Sequence, residues 1–437
     1  MRYKRFGDNR GVALPLALMA FVVLGALSAA LLSVGSSEVQ IASNHLRGTQ
    51  AFFLAEAGLE HAFNRVNVLW NTSRASLPTN VGSPQPVPGI PADTPLGGAG
   101  NYTVQYQAAG LWTWRVESTG KAIVGSQQFP QIRRAIMSTF FQAKNAIVAN
   151  GDLTIGGSAD VSATDGQCGN VHSNGNLKLT GSNVHIHGDA TETSTFDDDT
   201  GNPQVDGVRL RNTPTETVPH IDPAAFLQDL KNNADVRGSL SLDHLYQMTV
   251  NADGKGEVRD GNGTLIETLN SGDTWMACGW KYTAGTPLAE WNLNSSTPCD
   301  GTYYFEGTVE TQSAGTDADP WKTTLIATGD IKITGNPTIQ ADANYTVHDT
   351  LFYSGRDVDI FGTPSNGYNG LIAAHEQFNL HGNGGFNGFI IGESALNTPG
   401  SLVNSNTNTV SGNITLMYKC DSNPPLQGPL QVISWGL

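Results

Sequence analysis

The sequence predicts a mainly β protein carried on a long N-terminal α-helix. A small antiparallel sheet follows the helix, and then a parallel β-helix-like solenoid with an inserted subdomain. Three observations lead there. Residues 12–34, VALPLALMAFVVLGALSAALLSV, form an uncharged run of 23 that continues without a turn signal into a helical pattern. A turn-strand-glycine unit recurs through the last two-thirds of the chain. The composition, 50 glycines in 437 residues with only 14% charged, suits short strands joined by many turns.

The formal charge of −15, from 24 Lys and Arg against 39 Asp and Glu, argues against a nucleic-acid partner. With 39% hydrophobic residues, the chain can bury a sizeable core.

The apolar run is long enough to cross a bilayer as a helix. Arg2, Lys4, Arg5 and Arg10 precede it, so the positive-inside rule keeps the leader cytoplasmic and places the chain beyond the run in the periplasm. Past that run, Phe52, Ala55, Leu59, Ala62, Phe63 and Val66 recur at helical spacing, and Glu56, Glu60, His61 and Asn64 fall between them. Pro15 would break a helix interior. A cut after Gly11 makes it the fourth residue of the mature chain, in a first turn whose N–H groups have no intrahelical partner.

A short basic leader ending in glycine before a long apolar helix resembles the class III signal of type IV prepilins. The resemblance implies cleavage after Gly11 by a prepilin peptidase and methylation of Val12. The segment GTQAFFLAEAGLEHA, residues 48–62 and including Glu56, resembles the AFxxAEAGL signature of PilX-like minor pilins. That likeness covers about the first 70 residues. Major pilins carry glutamate as the fifth mature residue, where this chain has Leu16, a departure similar to minor subunits placed at or near a filament tip. Glu38 lies too far along to replace it.

The expected organisation is a leader at 1–11, the transmembrane and amphipathic helix at 12–70, and a Pro/Gly-rich loop at 71–100. A small antiparallel sheet is expected at 101–142, where NYTVQYQ, WTWRVEST and RRAIMSTFF alternate with period two. Arg133 and Arg134 read as a solvated strand end. Solenoid segments are expected at 143–190 and 321–437, the second with a tail, and the inserted subdomain at 191–320.

The solenoid rests on NGDLTIGG at 150, NGNLKLTG at 174, TGDIKITG at 328, SGRDVDIFG at 354 and AHEQFNLHG at 374. Within each group these start 24, 26 and 20 residues apart, about one coil of a β-helix. Stacking Leu153 and Ile155 on Leu177 and Leu179, and Ile331 and Ile333 on Val358 and Ile360, would build one inner core. In the insertion, Asp222 reads as an N-cap, with Pro223 opening a helix whose Phe226, Leu227 and Leu230 share a face. Residues 248–269 read as a hairpin with Asp-Gly and Asn-Gly turns.

The four cysteines lie beyond the apolar run, in an oxidising compartment. Of three pairings, Cys278 with Cys299 and Cys168 with Cys420 are preferred. Asp197, Asp199 and Asp206 around Gly201 offer oxygen ligands for a calcium loop, though without an EF-hand glutamate; no other cofactor is expected. His185 and His187 share one strand face as metal ligands would, and they also read simply as outward-facing residues opposite Val184 and Ile186.

No G-x-S-x-G, P-loop or H-E-x-x-H pattern occurs. Asp357 and Asp359, expected on one strand's outer face, are the nearest approach to the paired carboxylates of a carbohydrate-active β-helix enzyme. That membrane-tethered enzyme, or a carbohydrate-binding protein, is the alternative reading. The favoured expectation is a non-enzymatic minor pilin of a type IV pilus or related secretion filament. It would sit in the inner membrane with its C-terminus periplasmic, then on the pilus or cell surface. Its expected partners are the prepilin peptidase, other major and minor pilins, the inner-membrane assembly platform and a surface or cell receptor.

Overall fold

The computed structural model describes residues 13–72, 77, 83–110, 113–124, 127–140, 143–163, 169–232, 242–312, 314–342, 346–347, 349–362, 368–403, 405–418 and 426–436. It has a long N-terminal helix and a large β-rich region with parallel and antiparallel pairing. Two compact units divide it: one of described residues up to 109 with 114–138 and 432 onward, the other chiefly of 139–431.

In the first unit, helix α1 (Ala13–Thr72) runs 60 residues, or about 90 Å at its standard rise. Pro15 stands third in it, inside the first turn, and so removes no helical hydrogen bond. The sheet order is Gln85–Pro86, Gly100–Gly110, Thr113–Val124, Gln127–Phe140, and then the C-terminal strand Gln427–Gly436. The strand Gln427–Gly436, expected within the second solenoid segment, thus belongs to this sheet instead.

The second unit is a three-sided parallel solenoid. Along one side, Leu177 pairs with Leu153 and Leu179 with Ile155, while Ile331 pairs with Val358 and Ile333 with Ile360. All eight side chains are buried. Identical registers in successive coils superpose the apolar positions, so each coil buries its inner face only against its neighbours.

Stacking order differs from chain order. The strand Thr407–Tyr418 pairs in parallel with Asp152–Gly156 and with Asp160–Ala163, and Ile390–Gly392 pairs with Ile147–Ala149. The first coils laid down thus continue the stack beyond the last ones. Solenoid strands also reach into the segment expected as an insertion: Gln204–Val205 and Arg209–Leu210 extend the early coils, and Thr308–Thr311 pairs in parallel with Ile331–Gly335.

The corner aspartates of the repeat have a definite role. Asp152 Oδ1 accepts from Asn176 N at 2.9 Å, Asp330 Oδ1 from Asp357 N at 3.2 Å, and Asp357 Oδ1 from Gln377 N at 3.0 Å. Each carboxylate ties its coil to a neighbouring coil where the backbone leaves the ladder and would otherwise strand an N–H.

Between the two runs of coils lies a return segment, 212–222, and then helix α2 (Pro223–Asn232). Asp222 caps α2, accepting from Ala224 N and Ala225 N at 3.0 and 3.1 Å. Phe226, Leu227 and Leu230 are buried, and Phe226 stacks on Tyr353 at 4.3 Å. The side of the solenoid carrying Tyr353 is consequently buried on both faces, as the strands Thr350–Ser354 and Leu371–Ala374 are throughout. An antiparallel meander, Leu245–Val250, Gly256–Asp260 and Leu265–Leu269, comes next. A disulfide joins Cys278 to Cys299; Cys168 and Cys420 lie outside the described residues.

Candidate functional site

Helix α1 has two halves of opposite character. From residue 14 to residue 42 every side chain is exposed, Leu16 at 62% among them, although those up to residue 34 are apolar apart from Ser28 and Ser33. This stretch is long and apolar enough to cross a membrane. Its second half is buried along Ala51, Leu54, Ala55, Leu59, Ala62 and Val66. Phe52 and Phe63, expected on that face, are only half-buried, and Ala51 and Leu54 take the inner positions instead.

The reason is close approach. A Cβ added to Gly120, on Thr113–Val124, would stand 2.1 Å from the Ala51 carbonyl oxygen and 2.4 Å from Ala55 N. One added to Gly58 would stand 2.1 Å from Ser118 Oγ. Ala51, Ala55 and Gly58 thus let the strand lie against the helix backbone, with Leu54 Cβ also in contact at Gly120.

Polar contacts set the helix's rotation. Arg133 Nη2 donates to Glu56 Oε1 at 3.2 Å, and its guanidinium stacks 4.7 Å from the Phe52 ring centre. Arg134, the next residue, faces the other way and donates from Nε to Glu117 Oε2 at 2.8 Å. Arg133 is therefore partnered and largely withdrawn from solvent, whereas Arg134, in a surface ion pair, stays exposed as expected. His61 Nδ1 lies 2.8 Å from Tyr102 Oη, and Arg47 covers Phe129 at 4.9 Å. Gly11 and Val12 are outside the described residues.

The aspartates expected to hold calcium do not converge. Asp197 is bound by Arg211 at 2.6 Å and Asp199 by Arg209 and Arg211, at 3.1 and 3.0 Å. Asp206 instead meets His185 Nε2 at 2.9 Å. Arg209 and Arg211, which also meet the buried Glu192, thus neutralise Asp197 and Asp199 without an ion. Asp357 and Asp359 do not share an outer face either. Asp357 is fully buried at the corner, binding Gln377 N and Val403 N. Asp359 points outward to Asn379 and His381.

A second cluster joins His220, His375 and Glu393. Glu393 Oε1 lies 2.7 Å from His220 Nδ1, and Oε2 lies 2.5 Å from His375 Nδ1 and accepts from Ile221 N at 2.9 Å. It fastens the return segment to two successive coil corners. The bond to Glu393 raises the His375 pKa above its ordinary value against the opposing effect of burial. Sequence reasoning missed this cluster because its members are up to 173 residues apart.

No family model and no curated protein matches the chain. Among solved structures it is similar to the competence-associated pilin ComZ from Thermus thermophilus, at 13% identity over 89% of this chain and 97% of that one, TM-score 0.31. It is also similar to an ice-binding protein of Shewanella frigidimarina, at 13% identity over 63% of this chain and 92% of that one, TM-score 0.26. An ice-binding protein from an Antarctic biological consortium matches at 10% identity over 63% of this chain and 86% of that one, TM-score 0.25.

Proposed function

We propose that this chain is a structural, non-enzymatic minor pilin of the PilX-like kind, acting at or near the tip of a type IV pilus or related secretion filament. The observation that carries this reading is the division of α1. One half is packed on its own sheet, and the other is wholly exposed from residue 14 to residue 42 and apolar over residues 14–34. An apolar rod of that length cannot remain in water. A bilayer satisfies it first, and neighbouring pilin helices satisfy it after extraction into a filament.

In this account a prepilin peptidase cleaves after Gly11 and methylates Val12. The assembly platform of the inner membrane then moves the helix, with its head periplasmic, among major and other minor pilins. Leu16 supplies no carboxylate to pair with a neighbour's terminal amine, an arrangement suited to a subunit that few others follow. The solenoid head, several times larger than the helix's own sheet, suits a terminal position facing a surface or cell receptor.

The test is immunogold labelling of purified filaments with antibody to the solenoid. Label confined to filament ends, lost in a deletion strain, is the expected result. Uniform label along the shaft would overturn the tip assignment, and label absent from filaments but retained in membranes would overturn the pilin reading.

A further inference from the structure

Three successive coils bring Asp160, His185, His187 and Asp206 together on an outer side of the solenoid. The strand His185–Ile186 pairs in parallel with Asp160–Ala163 on one side and with Gln204–Val205 on the other, so His185 stands opposite Asp160 and Gln204. Ile186 and Val161 point inward and are buried, which turns the neighbouring positions outward. His187 Nε2 lies 3.4 Å from Asp160 Oδ2, and His187 Nδ1 lies 3.1 Å from Asp206 Oδ2. The two imidazole rings are 3.7 Å apart, and donor atoms of Asp160, His185 and His187 lie within 4.8 Å of one another.

We propose that Asp160, His185 and His187 bind a divalent transition-metal ion of the zinc class, with Asp206 as the residue that positions the histidines. Two nitrogens and one carboxylate oxygen form the donor set of an open zinc site, and imidazole favours such ions over calcium. Asp206 supplies the outer support these sites require. Its Oδ2 contacts both rings, and its Oδ1 is held by Gln204 Nε2 at 2.9 Å. Charge points the same way. Among the described residues, the basic side chains near this end of the solenoid are already engaged, Arg209 and Arg211 by Glu192 and Asp199, and Lys178 by Asp198. Asp160 and Asp206 meet histidines instead of a permanent cation. At the other histidine cluster, by contrast, both Glu393 oxygens are committed to holding the return segment.

The site is partly exposed, with His187 at 38%, so an ion can enter and keep solvent-facing positions open. Bound there, it would staple the coil of Asp160 to that of His185 and present a Lewis-acidic point on the head's surface.

The full chain, extracted in detergent and stripped of metal, is titrated with zinc chloride by calorimetry and with cobalt chloride by visible absorption. One equivalent of each is expected. His187→Ala and Asp160→Asn should abolish uptake, Asp206→Asn should weaken it by about tenfold, and His375→Ala should leave it unchanged. Excess calcium should not compete. Circular dichroism of the metal-free variants checks that they fold, and Asp160→Asn keeps both histidines if His187→Ala does not. Absence of saturable uptake, uptake unchanged in folded His187→Ala and Asp160→Asn, loss confined to His375→Ala, or displacement by calcium would each overturn the assignment.

Discussion

Replacing Gly120 with alanine is expected to destabilise the helix-and-sheet unit by about 3 kcal/mol, the upper end of the ordinary overpacking range. The atoms the new methyl would meet are the Ala51 carbonyl oxygen at 2.1 Å and Ala55 N at 2.4 Å. Both are helix backbone, and neither can rotate away. The helix must shift off the strand, loosening Leu54 and Leu59 at the same time. Gly58→Ala is the control. Its methyl also falls at 2.1 Å, but from Ser118 Oγ, with Tyr102 Cδ2 next at 2.9 Å, so the atoms in its way belong to side chains and not to backbone. It should cost clearly less, and Ser118→Ala should relieve part of that loss. Hydrogen exchange of the full chain across residues 51–66, in increasing urea, reads the effect. Faster exchange there in Gly120→Ala, with solenoid peptides unchanged, is expected; equal exchange in the two glycine variants would contradict the packing account.

The second large effect is at Asp357. Alanine there leaves the buried amides of Gln377 and Val403 without acceptors, a loss of about 3 kcal/mol from the second unit. Burial, reinforced by the neighbouring Asp330 and Glu376, pushes the Asp357 carboxyl up to about 7. Between the ordinary aspartate range near pH 4 and about pH 7 the folded protein holds a proton that the unfolded chain has released, so this group's contribution to stability falls as pH rises through that window. The slope is about 1.4 kcal/mol per pH unit at most. Wild type should therefore lose stability from pH 5 to pH 7 relative to Asp357→Asn, which has no proton to release. The alanine penalty should be larger at pH 5 than at pH 8, where removing a disfavoured charge offsets part of it. Thermal unfolding of the three proteins across that pH range measures both. Parallel curves for wild type and Asp357→Asn would contradict the assignment.

Much of the solenoid was legible because the repeat is local. Leu153, Ile155, Leu177 and Leu179 announce their own register, since a one-residue slip would turn every one of them outward. The capped helix at Asp222 was equally readable from short-range chemistry. Chain order in the stack was not. Coils with interchangeable inner faces can succeed one another in any order, and the joining rung pairs Asn408 with Leu153, far apart along the chain. For the same reason Asp206 read as a ligand beside Asp197 and Asp199, its neighbours in sequence. Its actual partners come from the adjacent coil, and only the register reveals them. The small residues of the AEAGL segment were visible as a signature, but their cause, the strand carrying Gly120, lies some 60 positions away.

The measurement that bears most directly on the pilin account is the intact mass of the membrane-extracted chain, expressed with and without a prepilin peptidase. Loss of residues 1–11 with one added methyl on Val12, only when the peptidase is present, is the predicted result. A chain left unprocessed in its presence, or cut after the apolar run instead, would contradict the account and leave a tethered or secreted solenoid with no route into a filament.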